Sequence, residues 1–123
     1  MQSISLAAAR RLRQGRLPHI PPAAAPVSTR VRLDLQAPPG SDPEVILTDA
    51  RRGLTWRVAL SPSHERPNAW HTEILLPSEP TVLTYHFVLA DGSVIREHRQ
   101  VEGVVKPVYG VWEERDFRIA VYT

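Results

Sequence analysis

The chain has 123 residues, of which 42% are hydrophobic and 23% are charged, and this balance is typical of one soluble globular domain. The absence of cysteine excludes a disulfide framework, a thiol nucleophile and a Cys-based zinc site. The same absence suits the reducing cytoplasm, where we expect the protein to be. No apolar run approaches the roughly 18 residues that a membrane-spanning helix needs, so we expect no membrane partner.

The formal net charge of +2 is unevenly distributed along the chain. Residues 1–26 contain four of the 15 basic residues and none of the 13 acidic ones, which leaves 11 basic and 13 acidic residues in the remainder. A nucleic-acid-binding domain normally carries its positive charge on a folded face, whereas the excess here lies in the N-terminal segment. We therefore expect no nucleic-acid partner.

The first 27 residues are predicted to form a basic, proline-rich N-terminal arm. Good helix formers favour a short helix over residues 3–14, which Gly15 would end. Residues 18–26 contain four prolines, a density that excludes helix and sheet and favours extended polyproline structure. This part of the arm is predicted to be a linker, or a strap on the surface of the domain.

Residues 28–123 are predicted to form an immunoglobulin-like β-sandwich of about seven antiparallel strands. Apolar and polar residues alternate with a period of two, which is typical of half-buried strands, and Asp91-Gly92 predicts a tight hairpin. The predicted strands span residues 29–36, 44–49, 54–60, 69–76, 82–90, 93–101 and 117–122. Residues 103–115 are predicted to be a long connection. The predicted core includes Leu33, Leu35, Val58, Ile74, Phe87 and Ile119.

No constellation in the sequence points to catalysis or to a cofactor. The five histidines form no helical metal-binding pair, and His71 and Glu73 are expected on a solvated face of their strand. The adjacent Glu113 and Glu114 are typical of a solvated loop, and no glycine-rich phosphate loop is present. We therefore predict no catalytic residue, no metal site and no cofactor.

The aromatic residues are the best candidates for a binding surface. Trp56 and Trp70 alternate in phase with apolar residues, which favours the core, although Trp70 would serve if its strand face were open. Trp112 and Tyr109 lie in the predicted connection and are better candidates for exposed rings. Flat exposed rings can stack on sugars or pack at an interface, and their polar tips can donate hydrogen bonds.

Four segments resemble one family of β-sandwich modules. The strongest is V-L-T-Y-H-F-V-L-A-D-G, residues 82–92, which resembles a signature L-R-Y-Y-F-x-L-x-D-G. Residues 69–77 are similar to Y-W-E-A-x-L-P, residues 31–35 to V-x-L-R-L-R, and residues 116–119 to the last strand of the module. The family is the N-terminal module of neopullulanase, cyclomaltodextrinase, maltogenic amylase and maltodextrin glucosidase. This chain departs from it at His86 and Ala69, where the family often has aromatic rings.

The resemblance implies a non-catalytic accessory domain of an α-glucan-acting glycoside hydrolase. The catalytic carboxylates of that family belong to a separate (β/α)₈ barrel, so no catalytic residue is carried over to this chain. The implied partners are the barrel of the same polypeptide, an α-glucan or maltooligosaccharide, and a second subunit in a homodimer. The alternative is a generic immunoglobulin-like protein-interaction domain that has no connection with carbohydrate.

Overall fold

The computed structural model of the chain describes residues 18–100 and 112–123. Every secondary-structure element in these residues is a β-strand, which confirms the predicted all-β class. Within the same residues there is no helix long and apolar enough to cross a membrane. The predicted helix at residues 3–14 lies outside the described residues.

Eleven strands are found in the described residues, several of them very short. In chain order they are β1 Ala23–Pro26, β2 Arg30–Gln36, β3 Glu44–Asp49, β4 Leu54–Ala59, β5 Ser61–Pro62, β6 Ala69–Leu75, β7 Thr81–Val88, β8 Val94–Ile95, β9 Glu97–Gln100, β10 Trp112–Arg115 and β11 Phe117–Tyr122.

The strands form two main sheets and a separate two-stranded ribbon. The large sheet has the order β1-β11-β7-β3-β4, with β8 also paired to β7, and the small sheet has the order β2-β6-β5. Strands β9 and β10 form the ribbon, inside the region predicted as the end of one strand and a long connection. All pairs are antiparallel except β1 and β11, which are parallel. The strand number and this parallel pair therefore differ from the predicted seven antiparallel strands.

The core lies between the two main sheets, because one cluster of buried side chains draws on both. The alternation that predicted the strands also sorts the side chains: in β7, Leu83, Tyr85 and Phe87 are fully buried, whereas Val82 on the other face is exposed. Of the predicted core residues, Leu33, Leu35, Ile74, Phe87 and Ile119 are buried. Val58 is only half-buried, because β4 is the edge strand of its sheet.

The predicted hairpin at Asp91-Gly92 is confirmed. Gly92 has a φ of 87°, a left-handed conformation that favours glycine, and the Asp91 carboxylate accepts a hydrogen bond of 2.8 Å from the Ser93 amide. The returning strand β8 pairs with β7 over only two residues before the chain moves to the ribbon.

Residues 18–27, which we call the strap, connect the edges of the two main sheets. At one end the Gln36 amide of β2 donates a 2.8 Å hydrogen bond to the Pro18 carbonyl. At the other end β1 pairs with β11, and the Val27 amide donates to the Tyr122 carbonyl at 2.7 Å. Proline is tolerated in β1 because an edge strand leaves part of its backbone unpaired. The strap therefore contributes a strand to the sheet.

The burial of Phe87 leads to a prediction about stability. Phe87→Ala should lower the free energy of unfolding by about 3–5 kcal/mol, because the lost ring leaves a cavity in a core that cannot fully collapse. The control is Val82→Ala on the same strand, where the side chain is exposed and a much smaller loss is expected. Urea unfolding followed by tryptophan fluorescence measures both, and equal losses in the two variants would contradict this assignment of the core.

Candidate functional site

A cleft of about 610 Å³ opens where the strap passes strand β2 of the small sheet. Its walls come from the strap, from β2 and from the loop between β5 and β6. The lining residues are Pro18, His19, Ile20, Arg32, Asp34, Leu35, Gln36, Ser63, Glu65, Arg66, Pro67, Asn68 and Ala69.

Strand β2 provides a polar wall of the cleft. Side chains alternate along a strand, so Arg32, Asp34 and Gln36 point outward while Leu33 and Leu35 between them are buried. Arg32 and Asp34 are therefore neighbours on the outer face, and Nε of Arg32 donates to Oδ1 of Asp34 at 2.8 Å. This hydrogen bond, together with the Asp34 charge, raises the pKa of Arg32. Both side chains remain more than half exposed, so the pair shapes the charge of the cleft and contributes little stability.

His19 lies at the inner side of the cleft and is only 4% exposed. Its Nδ1 lies 2.6 Å from the backbone carbonyl oxygen of Asp34, which can only accept, so Nδ1 carries the proton. Burial lowers the pKa of His19, an effect that the hydrogen bond and charge of Asp34 partly oppose. In the neutral ring Nε2 is then an acceptor, and the Tyr85 hydroxyl donates to it at 2.6 Å.

The histidine ring is also part of an aromatic cluster. Its centroid lies 4.8 Å from that of Phe87 and 4.7 Å from that of Phe117, both edge-on, and Tyr85 stacks on Phe117 at 5.4 Å. Burial, and then the charge of Glu97, raise the pKa of Tyr85, so its hydroxyl keeps the proton that it donates to His19. The strap wall of the cleft is therefore fixed to both main sheets through the side chain of His19.

Sequence reasoning did not identify His19 as a core residue. It follows Pro18 in a segment with no alternating pattern, so no local signal marks it as buried. Its partners are 15 and 66 residues away in the chain, and only the tertiary structure brings them together.

The predicted ring candidates fall in different places. Trp70 is 6% exposed, and its indole Nε1 donates to the Ala37 carbonyl at 3.1 Å, so its ring belongs to the core and is not open to a ligand. Trp112 begins β10, where its backbone pairs with Gln100, but its side chain lies outside the described atoms. Tyr109 lies outside the described residues. Exposed rings at these last two positions stay predictions.

The described part of the chain contains no group of three His, Asp or Glu side chains that could bind a metal ion. His71 and Glu73 share the outer face of β6, opposite Asp34 and Arg32 of β2 in the register. What the cleft offers instead is a group of guanidinium, carboxylate and amide groups suited to hydrogen bonding.

No protein-family model, no curated protein and no solved structure matches this chain.

The buried histidine predicts a dependence of stability on pH. Because the folded pKa of His19 lies below the unfolded value of about 6.5, the unfolded chain is protonated first as the pH falls. The contribution of neutral His19 is thus complete above about pH 6.5 and declines below it, by at most about 1.4 kcal/mol per pH unit.

His19→Gln provides the comparison, since glutamine retains a donor and an acceptor but does not titrate. Urea unfolding of both proteins between about pH 7.5 and 5 should show the wild type losing its advantage as the pH falls, because protonation of the unfolded state penalises only the histidine. A difference that stays constant over this range would show that His19 is not held neutral by the fold.

Proposed function

We propose that the chain is a non-catalytic accessory domain of an α-glucan-acting glycoside hydrolase, with the cleft as its contact surface for an α-glucan. The observation that carries this proposal is the placement of the four segments that resemble the amylase-type module. Two of them form the paired strands β2 and β6, and the other two form the paired strands β7 and β11. The inward side chains of these segments supply most of the core. The segments that carry the resemblance are therefore also those that hold the two sheets together.

The strand order supports an immunoglobulin-like type for this sandwich. In immunoglobulin domains one sheet contains strands B, E and D, and the other contains C, F and G, with C′ added beside C in variable-type domains. The small sheet here has the order β2-β6-β5 and the large sheet contains β4-β3-β7-β11. With strands lettered in chain order, these correspond to B-E-D and C′-C-F-G.

The polar groups of the cleft match the chemistry of a glucan chain. Neighbouring hydroxyl groups on a sugar ring are bound by side chains that carry paired donors or acceptors, as Arg66, Asn68 and Asp34 do. The exposed Ile20 and Pro67 offer apolar contacts for the carbon face of a sugar. The rings of Trp112 and Tyr109, predicted to be exposed, are further candidates for stacking on a sugar.

The affinity of such a site is expected to be low. The cleft is open, and Arg32 and Asp34 are more than half exposed, so each hydrogen bond to sugar replaces one to water. We expect a millimolar dissociation constant for maltooligosaccharides, which corresponds to about −4 kcal/mol. An accessory domain that adds to the binding of a neighbouring catalytic barrel needs no more than this.

Maltoheptaose titration of the ¹⁵N-labelled chain tests the glucan role. Amide shifts should appear around Gln36 and Asn68 and saturate in the millimolar range, whereas β-linked cellohexaose should give smaller shifts. Arg66→Ala should weaken binding about fivefold or more, the equivalent of one lost hydrogen bond. Arg118→Ala, an exposed arginine on the large sheet, is the matched control and should bind as the wild type does.

Absence of shifts at several millimolar maltoheptaose would remove sugar binding from the proposal. Packing against a barrel or a second subunit, for which the exposed Ile20 is suited, would then be the better account. Equal shifts with both sugars would instead show binding that does not select the α-linked chain, and would remove the α-glucan from the proposal.

The chain alone should not hydrolyse maltodextrin, pullulan or cyclodextrin. Glycoside hydrolysis needs two carboxyl groups that face each other across the bound sugar, whereas the Asp34 carboxylate in the cleft is engaged by Nε of Arg32 at 2.8 Å. A reducing-sugar assay on the purified chain measures this. Reproducible turnover that is lost in Asp34→Asn or Glu65→Gln would overturn the non-catalytic assignment.

A further inference from the structure

The edges of the two main sheets differ in how they are protected from pairing with another chain. An open strand edge presents unpaired amide and carbonyl groups, and proteins usually block it with proline, lysine, short strands or a covering segment. The edge of β2 is covered by the strap through Pro18, β1 contains Pro26, and β5 is two residues long and includes Pro62. Strand β4 has six residues without proline or lysine, and among the described strands it pairs only with β3.

The backbone of β4 shows which groups are free at this edge. The Leu60 amide donates to the Pro43 carbonyl at 3.0 Å, so these two residues form a hydrogen-bonded pair just beyond the register of β3 and β4. Such pairs recur at every second residue of an antiparallel ladder. The amide and carbonyl groups of Trp56 therefore point toward β3, and those of Thr55 and Arg57 point to the open edge.

The long side chain of Arg57 does not cover these groups. Its Nε lies 3.2 Å from Oε2 of Glu44, a residue of β3, so the guanidinium leans back over its own sheet. On the opposite face Leu54 is 54% exposed, and Trp56 and Val58 are only partly buried. As far as residues 18–100 and 112–123 show, the edge thus combines unpaired backbone groups with an apolar row that is exposed at Leu54 and partly buried at Trp56 and Val58.

We propose that β4 pairs antiparallel with β4 of a second copy of this chain, across a two-fold axis at Trp56, so that the two large sheets become one. In this register the free groups of Thr55 pair with those of Arg57 in the second copy. Leu54 packs beside the second copy's Val58, and the two tryptophans lie opposite each other on the axis. The apolar side chains of Leu54, Trp56 and Val58 in one copy thus pack beside the same side chains of the other copy.

Neighbouring registers are less favourable, which is why a second copy fits this edge. Side chains lie on matching faces only when the register shifts by two residues, which moves the axis by one residue, so the axis can pass through Thr55, Trp56, Arg57 or Val58. An axis at Thr55 brings in Gly53, before β4 begins. An axis at Arg57 places two guanidinium groups directly opposite each other, which destabilises a strand pair. An axis at Val58 brings in Leu60, where the chain has already left β4. The inference uses only this edge, so it does not depend on the glycosidase role.

Charge at position 55 tests the pairing in the full 123-residue chain by sedimentation equilibrium. The wild type should dimerise weakly and reversibly at high micromolar concentration, since a single strand pair buries a small area. In each dimer, position 55 of either copy lies opposite Arg57 of the other. Thr55→Lys should therefore weaken association three- to tenfold through charge repulsion, and Thr55→Glu should strengthen association by a similar factor through charge attraction. Thr55→Gln is the uncharged control and should match the wild type.

Cysteine cross-linking tests the register, because the chain has no cysteine of its own. In a non-hydrogen-bonded pair the Cα atoms are about 4.5 Å apart, within the range of a disulfide, so Trp56→Cys should oxidise to a covalent dimer. Val58→Cys is the control and should not. Cross-linking through position 58 instead would overturn the register.

A wild type that stays monomeric at several hundred micromolar, or a dimer whose affinity does not change with the charge at position 55, would overturn the proposal itself. If Trp56→Cys fails to fold, the position-55 series still decides.

Discussion

The contact between His19 and its two hydrogen-bond partners holds the two sheets and the cleft together. One ring nitrogen bonds to the backbone of β2 in the small sheet, and the other bonds to a side chain of β7 in the large sheet. The bond to Tyr85 is buried and the bond to Asp34 is partly buried, so a nitrogen or hydroxyl left unpaired here would lose its interaction with water without full replacement. The strap must therefore follow one path, and that path forms a wall of the cleft.

This arrangement connects the stability of the domain with its candidate function. The residues that fix the cleft belong to the same aromatic cluster that fills the core, namely Tyr85, Phe87 and Phe117. The groups that a ligand would meet, such as Arg66, are instead on the loop between β5 and β6 or on the exposed face of β2. A rigid wall opposite an exposed polar wall allows the binding surface to change in sequence while the core stays the same.

The alternation of apolar residues was sufficient to predict the main strands and most of the core. Leu33, Leu35 and Phe87 could be assigned because a strand of period two has only two faces, and the apolar one must be buried. Strand β1 could not be predicted in this way, since its alanines and proline carry no alternation and its partner is β11, about 100 residues away. The cleft was missed for the same reason: it depends on His19, whose burial is set by distant residues. Val58 was predicted to be in the core but is only half-buried, because a strand pattern does not reveal whether the strand is central or at an edge.

The parallel pairing of β1 with β11 also determines how the domain would respond to tension. The chain enters β1 from its N-terminal side and leaves β11 on its C-terminal side, and in a parallel pair these points are at opposite ends of the two strands. A force pulling them apart slides one strand along the other, so the hydrogen bonds that join residues 23–26 to residues 119–122 are loaded together instead of one after another. The first strand and the last therefore act as a mechanical clamp, in series with the contacts of Pro18 and His19 that hold the strap ahead of β1.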